Sequence, residues 1–522
     1  MLKLKRPVII FFFAAVFFVA GCSQDSPSVI RADIGEPVRN LDPQFATDPT
    51  ARMIISNLFE GLIAQDSEGQ LRLGAAAQYR ISPDGLTYTF TLREDARWQD
   101  GSAVTSGDFV FAFQRMFSPH APSPFAADFL AIANASQVMD GDSSPATLGV
   151  SARGPQTVVF TLERPYPDFL IRLAHTAAMP CNRLAFEQSM GRYGMEARYL
   201  SSNGPFTIGR WDASQLHLSR SEYFREEEQA LSERVILYIG RQDPLRQFLD
   251  GRSDLVLIPP DRLDEVSERS AQFIPAQLTV WGLVFNQNAR PWGSPLLRQS
   301  LALSFDPNLH SENLPANLAA TCVFVPSSAL VQGQKFRSYG DASSPLGLDS
   351  AQARRLFGQG LTALGYNHLP PSIIFVPENH TRHLEFLEET WQRELGAEIT
   401  LVPTPAEQIS QRLQTEDFGV MLLPFYSIGE GPGAFLRQFY SGGNRFGYNN
   451  PRFDHALGAA SLATTREEIT RLYALAEDLL LEDAAIIPVY FETSYYALSP
   501  GLTGVEVFPF GGGVRFQNAQ KQ

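Results

Sequence analysis

The segment from Ile373 to Val402 constrains the fold most, because it reads as a strand, a helix and a second strand in direct succession. Ile373–Val376 and Ile399–Val402 are short apolar runs of the kind that form buried strands. The helix between them is predicted to end at Gly396, a typical C-cap residue. It has one apolar face, formed by Leu384, Leu387, Trp391 and Leu395. A helical crossover of this length predicts two parallel strands, and therefore an α/β fold.

Other segments extend this pattern over a chain of 522 residues, which is long enough for two or three domains. A second amphipathic helix is predicted over Asp349–Leu364, with Asp349 as its N-cap. Thr87–Leu92 and Thr157–Leu162 alternate apolar residues with hydroxyl residues, as half-buried strands do. The sequence therefore predicts α/β architecture with additional β-rich segments.

The N-terminus has the pattern of an export signal. Three positive charges at Lys3, Lys5 and Arg6 precede an uncharged, Phe- and Val-rich stretch that runs to Gly21. The small residues before Cys22 resemble a lipobox, in which the cysteine is lipidated and the chain is cut before it. We therefore expect a signal peptide over residues 1–21, a lipid on Cys22 and a short tether over 22–27; a plain transmembrane anchor is the alternative. Either alternative places the bulk of the protein outside the cytoplasm.

Charge and motifs exclude several classes of function. A formal net charge of −14 argues against nucleic acid as a partner, because no basic surplus is available to neutralise phosphates. Neither Gly-x-Ser-x-Gly nor His-Glu-x-x-His occurs, and no nucleophile is paired with a base. His380, His383 and Glu385 have approximate metal spacing, but they are interpreted as a solvated helix start. We expect no catalysis, no cofactor and no metal.

Two cysteines remain beyond the export signal, Cys181 and Cys322. In an oxidising compartment they can form a disulfide, and the alternative is two buried thiols. The sequence leaves both alternatives open.

Six segments in order along the chain resemble the solute-binding proteins of peptide ABC importers, the extracytoplasmic oligopeptide- and dipeptide-binding family. The resemblance covers nearly the whole chain from about Asp33 onward, and its collinearity makes it specific. The segments are LFEGLIAQDSEGQLRLGAA (58–76), DGLTYTFTLREDARWQDGSAVTSGDFVFAFQRM (84–116), SNGPF (202–206) with Trp211, LRQSL (297–301) followed by Phe305 and Asp306, YNNPRFD (448–454) and IIPVY (486–490).

The resemblance implies a periplasmic-binding-protein type II fold, with two hinged α/β lobes and a third β-rich domain. By analogy the first lobe takes residues 28–60, 181–285 and 491–522, the third domain takes 61–180, and the second lobe takes 286–490. It also implies a monomer that captures a peptide or another small solute between the lobes and delivers it to ABC permease subunits in the membrane. Ligand sensing without transport is an alternative that the sequence does not separate from import.

The stretch Pro424–Leu436 resembles the family's cleft-lining strand edge, where an aspartate pairs with the α-ammonium group of the peptide. In this sequence Ile428 occupies the aspartate position, and an isoleucine cannot balance a buried ammonium. Three explanations remain open: another acid substitutes, with Glu430 and Glu492 as candidates; the solute lacks a free amine; or the cleft has lost its import role.

The resemblance also indicates further ligand-binding residues. Trp281 lies on a strand expected to cross between the lobes, and a buried core tryptophan is the alternative. Phe425 and Tyr426 alternate along their strand, so at most one of them faces the cleft squarely. The complete predicted set is Thr47, Asp48, Trp281, Phe425, Tyr426, Ser427, Ile428, Glu430, Tyr490 and Glu492.

Overall fold

The computed structural model describes residues 29–34, 37–66, 70–166, 169–266, 271–306, 311–312, 314–337, 345–426, 431–441, 443–463, 465–508 and 513–522. The predicted signal peptide, Cys22 and the tether lie outside these residues. Within the described part of the chain, no helix has the length and apolar character needed to cross a membrane.

One large mixed sheet runs through the molecule, and its two long central strands are antiparallel neighbours. These strands are β12 (Gln272–Phe285) and β19 (Ile486–Leu498). Their register extends from the pair Gln272–Leu498 to the pair Val284–Ile486, so they stay paired over almost their whole length. The remaining strands of the sheet attach to opposite ends of this pair, which divides the molecule into two lobes.

The first lobe is built on the end of β19 that follows Thr493. Its strands are β1 (Val29–Asp33), β8 (Phe206–Trp211), β9 (Gln215–Arg220), β10 (Arg234–Tyr238) and β11 (Leu255–Ile258). β11 pairs with β19, and β1 lies parallel between β11 and β10. The helices of this lobe are α1 (Pro49–Leu58), α5 (Arg183–Gln188) and α6 (Pro244–Leu249).

The second lobe is built on the opposite end of the strand pair. Its strands are β13 (Leu318–Ala320), β16 (Ser372–Pro377), β17 (Ile399–Thr404) and β18 (Val420–Phe425). β18 pairs with β12, and β16 lies parallel between β18 and β17. The helices are α7 (Pro295–Leu303), α8 (Ser350–Leu364), α9 (Glu385–Leu395), α10 (Ala406–Thr415), α11 (Pro432–Leu436), α12 (Pro451–Ala460) and α13 (Arg466–Glu482).

A third domain packs on the first lobe around a four-stranded antiparallel sheet of order β4–β5–β7–β6. Its strands are β4 (Ala76–Ile81), β5 (Thr87–Leu92), β6 (Val150–Ala152) and β7 (Thr157–Thr161), and its helices are α2 (Ser106–Met116), α3 (Ala135–Met139) and α4 (Phe169–Leu173). Its apolar side chains belong to the same buried cluster as those of the first lobe. The domain boundaries given above stay predictions.

Short strand pairs and single turns of 3₁₀ helix complete the described elements. The strands are β2 (Ile63–Gln65), β3 (Leu71–Leu73), β14 (Leu330–Val331), β15 (Gln334–Lys335), β20 (Leu502–Thr503), β21 (Glu506–Phe508), β22 (Gly513–Arg515) and β23 (Gln520–Lys521). The turns are Ala126–Phe129, Pro145–Thr147, Thr176–Ala178, Ala197–Tyr199, Glu226–Glu228, Pro260–Glu265, Glu378–His383 and Arg437–Phe439.

The predicted strand–helix–strand unit is confirmed, since β16 and β17 are parallel neighbours joined through α9. Gly396 ends α9 in the left-handed conformation with φ of 65°. The helix capped by Asp349 is also confirmed: the Asp349 carboxylate accepts from the backbone N–H of Gln352 at 2.9 Å, and α8 follows. Local sequence signals therefore identified these elements correctly.

The SNGPF segment joins the first lobe to the start of the third domain. The Asn203 amide accepts from the backbone N–H of Glu60 at 3.1 Å and donates to the Glu60 carbonyl at 2.9 Å. A side chain at Gly204 would meet the backbone of Leu58 at 2.7 Å, so glycine is required for this close approach. The segment has a structural role at this junction.

A buried ion pair fixes the same junction. Arg225 donates from two nitrogens to the two carboxylate oxygens of Glu60, at 2.8 and 2.6 Å. Both residues are buried, with exposed fractions of 8% and 9%. A bidentate pair of this kind is strong. Either charge would be unfavourable at this buried position without the other.

Replacing Arg225 by Met is expected to lower the free energy of unfolding by about 3–5 kcal/mol, because the Glu60 carboxylate stays buried without its bidentate cation. Urea denaturation followed by circular dichroism measures the change. The control is Arg246→Met, which removes an exposed pair with Asp250 and costs less than about 1 kcal/mol. Equal losses in the two variants would contradict a stabilising role for the buried pair.

Candidate functional site

A cavity of about 230 Å³ lies between the two lobes. The first lobe and the third domain contribute one wall, which includes Arg52, Met53, Phe125, Asp128 and His175. The second lobe contributes the facing wall, which includes Leu330, Val331, Gly433, Arg437 and Tyr473. The cavity is therefore enclosed from both sides, as in proteins that close on a small ligand.

Helix α1 places the first-lobe wall. Its N-terminus is fixed by Asp48, whose carboxylate accepts from the backbone N–H of Ala51 at 2.8 Å. Its C-terminal turn is held by Asn57, which donates to the Val514 carbonyl at 2.7 Å and accepts from the Phe516 N–H at 2.8 Å. Between these two attachments, Arg52 lies along the cavity.

Helix α11, the next described element after β18, forms part of the second-lobe wall. A side chain at Gly433 would meet the Tyr473 hydroxyl at 2.7 Å, so glycine allows α11 to approach α13 closely. Arg437, which follows α11, lies close to the phenol of Tyr166 in the third domain. This proximity brings the two walls of the cavity together at that point.

The charged groups of the described lining are four arginines and one carboxylate, Asp128. Arg172 donates to Asp128 at 3.0 Å. Arg515 donates to the Gln65 carbonyl at 3.2 Å, and burial lowers the pKa of Arg515 to about 10. Burial, with the positive charges of Arg52 and Arg172, lowers the pKa of His175 to about 3, so this imidazole is neutral at neutral pH. The described lining is therefore cationic.

Three predicted site residues, Trp281, Tyr490 and Glu492, lie together on one face of the central strand pair. The indole N–H of Trp281 donates to the Glu492 carboxylate at 2.7 Å, and Asn317 donates to its other oxygen at 3.4 Å. The exposed fractions of Trp281, Tyr490 and Glu492 are 8%, 0% and 8%. None of the three is among the described residues that line the cavity. Trp281 and Tyr490 pack in the core beside α7, α8 and α9, and a role of these residues in binding stays a prediction.

Phe425 and Tyr426 differ in their surroundings, as their alternation predicts. Phe425 is buried among Phe324, Phe439 and Phe446 in the core of the second lobe. Tyr426 is 47% exposed and lies close enough to Arg52 of the first lobe to act on the pKa of that guanidinium. Tyr426 is thus the exposed member of the pair, but it is not among the described residues that line the cavity.

The other predicted residues are exposed or lie outside the described part of the chain. Thr47 and Asp48 are exposed at the start of α1, next to the wall that Arg52 forms. Ser427, Ile428 and Glu430 lie outside the described residues, as does Cys22. The residues directly after this gap, Gly431–Ala434, line the cavity.

The interpretation of His380 as part of a solvated helix start is wrong. His380 is 3% exposed, its ring lies 3.9 Å from the Trp281 ring centroid, and its Nδ1 hydrogen-bonds the Tyr490 hydroxyl at 2.7 Å. Burial, followed by the nearby charge of His383, lowers the pKa of His380 to about 4. Periodicity within one segment gave no sign that β12 and β19 cover this turn.

No group of three or more potential metal ligands occurs among the residues that the structure describes. Cys181 and Cys322 are not joined by a disulfide, which excludes the disulfide alternative in this structure. Cys181 is buried, and burial raises its pKa to about 12, so the thiol is inert at neutral pH. Cys322 is partly exposed rather than buried.

Two lobes joined by crossing strands, with a cavity between them, agree with the comparison to known families. The model of the bacterial extracellular solute-binding proteins, family 5 Middle, matches residues 70–447. The chain belongs to this family. Family 5 members bind substrates and are not catalytic, so this protein is a solute-binding protein with the type II periplasmic-binding fold and not an enzyme.

Several named proteins are similar to this chain over nearly its full length. The periplasmic murein peptide-binding protein MppA of Escherichia coli is 27% identical over 506 residues, covering 92% of this chain and 91% of its own. The dipeptide-binding protein DppE of Bacillus subtilis is 25% identical, covering 90% and 88%. The unliganded open form of MppA superposes with a TM-score of 0.75 at 26% identity, covering 95% and 97%.

Sequence reasoning missed Arg52, the most buried cation of the cavity wall. The sequence contains one weak indication of its role. Arg52 is a single charged residue directly before the apolar run Met53–Ile55. A charged residue inside an apolar helical segment is rarely fully buried unless it is paired. The missing information was which residues of the second lobe and the third domain face it.

Burial raises the pKa of Glu492 above its ordinary value, and the bond from Trp281 partly offsets this. The contribution of Glu492 to the free energy of unfolding is therefore fully present below about pH 4.3, the pKa of a glutamate in the unfolded chain. It is lost as the pH rises through the higher pKa that Glu492 has in the folded protein. Glu492→Gln keeps an acceptor for Trp281 and does not ionise. Relative to the wild type, its free energy of unfolding should rise from pH 4 to pH 7 by about 1.4 kcal/mol per unit of raised pKa.

Urea denaturation of both proteins at several pH values in this range measures the difference. Glu226→Gln, at an exposed position, is the control and should show no such trend. A difference between Glu492→Gln and the wild type that does not change with pH would contradict the raised pKa.

Proposed function

We propose that this protein is the solute-capturing subunit of an ABC importer. It closes its two lobes on a short peptide or peptide-like solute outside the cytoplasm and delivers the solute to permease subunits in the membrane. The proposal rests on one observation: this chain, which belongs to family 5, has a cavity between its two lobes. The names of MppA and DppE, which bind murein peptides and dipeptides, support a peptide as the solute.

The size of the cavity limits the solute. Ligand pockets usually measure about 300–1,000 Å³, and the cavity here is about 230 Å³. In this lobe arrangement the cavity therefore accommodates a peptide of two or three residues, or one end of a longer solute.

Membrane attachment and assembly belong to the same proposal. A diacylated Cys22 would hold the binding domains close to the permease, because two acyl chains give stable anchoring. The protein is proposed to act as a monomer, and its net charge of −14 is unfavourable for nucleic acid.

A second candidate solute is one that lacks a free amine. Two observations favour it: Ile428 stands at the position of the family's amine-binding aspartate, and one relative, 26% identical, is named a probable deoxycholate-binding periplasmic protein. On this alternative the protein binds a blocked peptide or a non-peptide solute. Ligand sensing without transport would use the same cavity.

Peptide binding is expected to stabilise the protein and make it more compact. At a concentration about 100 times the Kd, a bound tripeptide adds about 2.7 kcal/mol to the free energy of unfolding. Thermal unfolding and the radius of gyration from small-angle X-ray scattering, measured with and without alanine-containing di- and tripeptides, test this. If no peptide changes either quantity at millimolar concentration, the peptide proposal fails and the non-peptide alternative takes its place.

Replacing Ile428 by Asp is expected to increase affinity for peptides with a free N-terminus by about tenfold or more, because a carboxylate then pairs with the ammonium. Isothermal titration calorimetry with trialanine and N-acetyl-trialanine measures the change. Ile428→Asn is the control of equal shape without charge. A gain that is equal for the free and acetylated peptides would contradict an amine site at this position.

A further inference from the structure

Arg52 differs from the other cations of the cavity. Arg172 pairs with Asp128, and Arg437 lies beside the phenol of Tyr166. Arg515 bonds the Gln65 carbonyl. The Nε and Nη1 atoms of Arg52 are buried and have no hydrogen-bond partner in the part of the chain that the structure describes. Arg52 itself is 6% exposed and lines the cavity.

Among the described residues, no carboxylate pairs directly with Arg52, although the charge of Asp48 acts on its pKa. Asp48 lies one turn earlier on α1, but it is exposed and its carboxylate already accepts from the Ala51 N–H. Tyr426, on the facing lobe, offers a phenol rather than a carboxylate. No ion pair of Arg52 occurs among the described residues within 4.0 Å, whereas Arg225 and Arg115 are buried to a similar degree and each has a carboxylate.

A buried guanidinium without a partner is unfavourable, because the cost of removing it from water is not recovered. A guanidinium presents two planar forks, Nε–H with Nη2–H and Nη1–H with Nη2–H, and each matches the two oxygens of a carboxylate. The cavity wall around it adds three more arginines against one aspartate. The position is therefore complete only when an anion occupies the cavity.

We propose that Arg52 binds a carboxylate of the captured solute, so that the cleft selects peptides or peptide-like solutes with an anionic group. This inference rests on the proposed function and names the chemical class of its solute. The carboxylate is the side-chain group of an acidic residue or the C-terminus of a short peptide. Because Arg52 lies on the first lobe and the facing wall of the cavity belongs to the second, a solute whose carboxylate binds Arg52 also links the two lobes and favours closure.

The test compares short peptides that differ by one charge. The pairs are Asp-Ala-Ala with Asn-Ala-Ala, Ala-Glu-Ala with Ala-Gln-Ala, Ala-Ala-Glu with Ala-Ala-Gln, and trialanine with trialanine amide. Isothermal titration calorimetry gives the Kd of each peptide for the purified protein. We expect the carboxylate member of at least one pair to bind at least about tenfold more tightly, the range of a charge-assisted hydrogen bond.

Two variants of Arg52 and one control assign this preference to its guanidinium. Arg52→Met should reduce the preference to less than about twofold, and Arg52→Lys should leave an intermediate preference, because an ammonium keeps the charge without the planar fork. Arg393→Met, at an exposed position, should leave the preference unchanged. Without ligand, Arg52→Met should unfold at the same or a higher temperature than the wild type, whereas loss of a structural arginine would lower that temperature.

The outcomes separate this inference from the proposed function. If peptides bind and no pair shows a preference above about twofold, the inference is overturned and the peptide-binding function stands. A preference that persists in Arg52→Met also overturns it. If no peptide binds, the proposed function fails and this inference fails with it. If Arg52→Met does not fold, the Kd ratios within the peptide pairs are compared between the wild type and Arg52→Lys instead. An equal preference in these two proteins would then overturn the inference.

Discussion

The backbone ladder between β12 and β19 is the interaction on which the rest of the structure depends. The two strands stay paired from Gln272–Leu498 to Val284–Ile486 and pass from one lobe into the other. The first lobe attaches to one end through β11, and the second lobe attaches to the other end through β18. The buried clusters of the first lobe are separate from those of the second, an arrangement typical of proteins whose lobes move as units about a hinge. The cavity lies between the two lobes.

Among the described residues, buried polar groups on one face of the central sheet bond one another, whereas one buried group at the cavity does not. On one face, Glu492 receives the indole N–H of Trp281 and the amide of Asn317, and His380 bonds Tyr490, so these buried groups satisfy one another. At the cavity, by contrast, Arg52 has buried donors without acceptors in the described part of the chain. Satisfied groups specify the fold, whereas unsatisfied groups are where a ligand can contribute binding energy.

The positive charge of the cavity lining agrees with one difference from the family pattern, the isoleucine at position 428. The resemblance places Ile428 where relatives carry an aspartate for a ligand ammonium, and the structure places Arg52 in the wall of the cavity. On the proposed assignment, a cleft with isoleucine at that position and a buried cation would be complementary to a negative charge on the solute. The protein would then keep the family's fold while it recognises a different group on its solute.

Local patterns in the sequence determined the elements: the β16–α9–β17 unit, the cap at Asp349 and the alternation of Phe425 and Tyr426 follow from neighbours a few residues apart. Collinear resemblance predicted the two-lobed fold of family 5. The tertiary structure alone decided that His380 is buried under Trp281 and that Arg52 meets the cavity. Burial and pairing depend on residues distant in the chain that the folded sheet brings together, and periodicity within one segment contains no record of those neighbours.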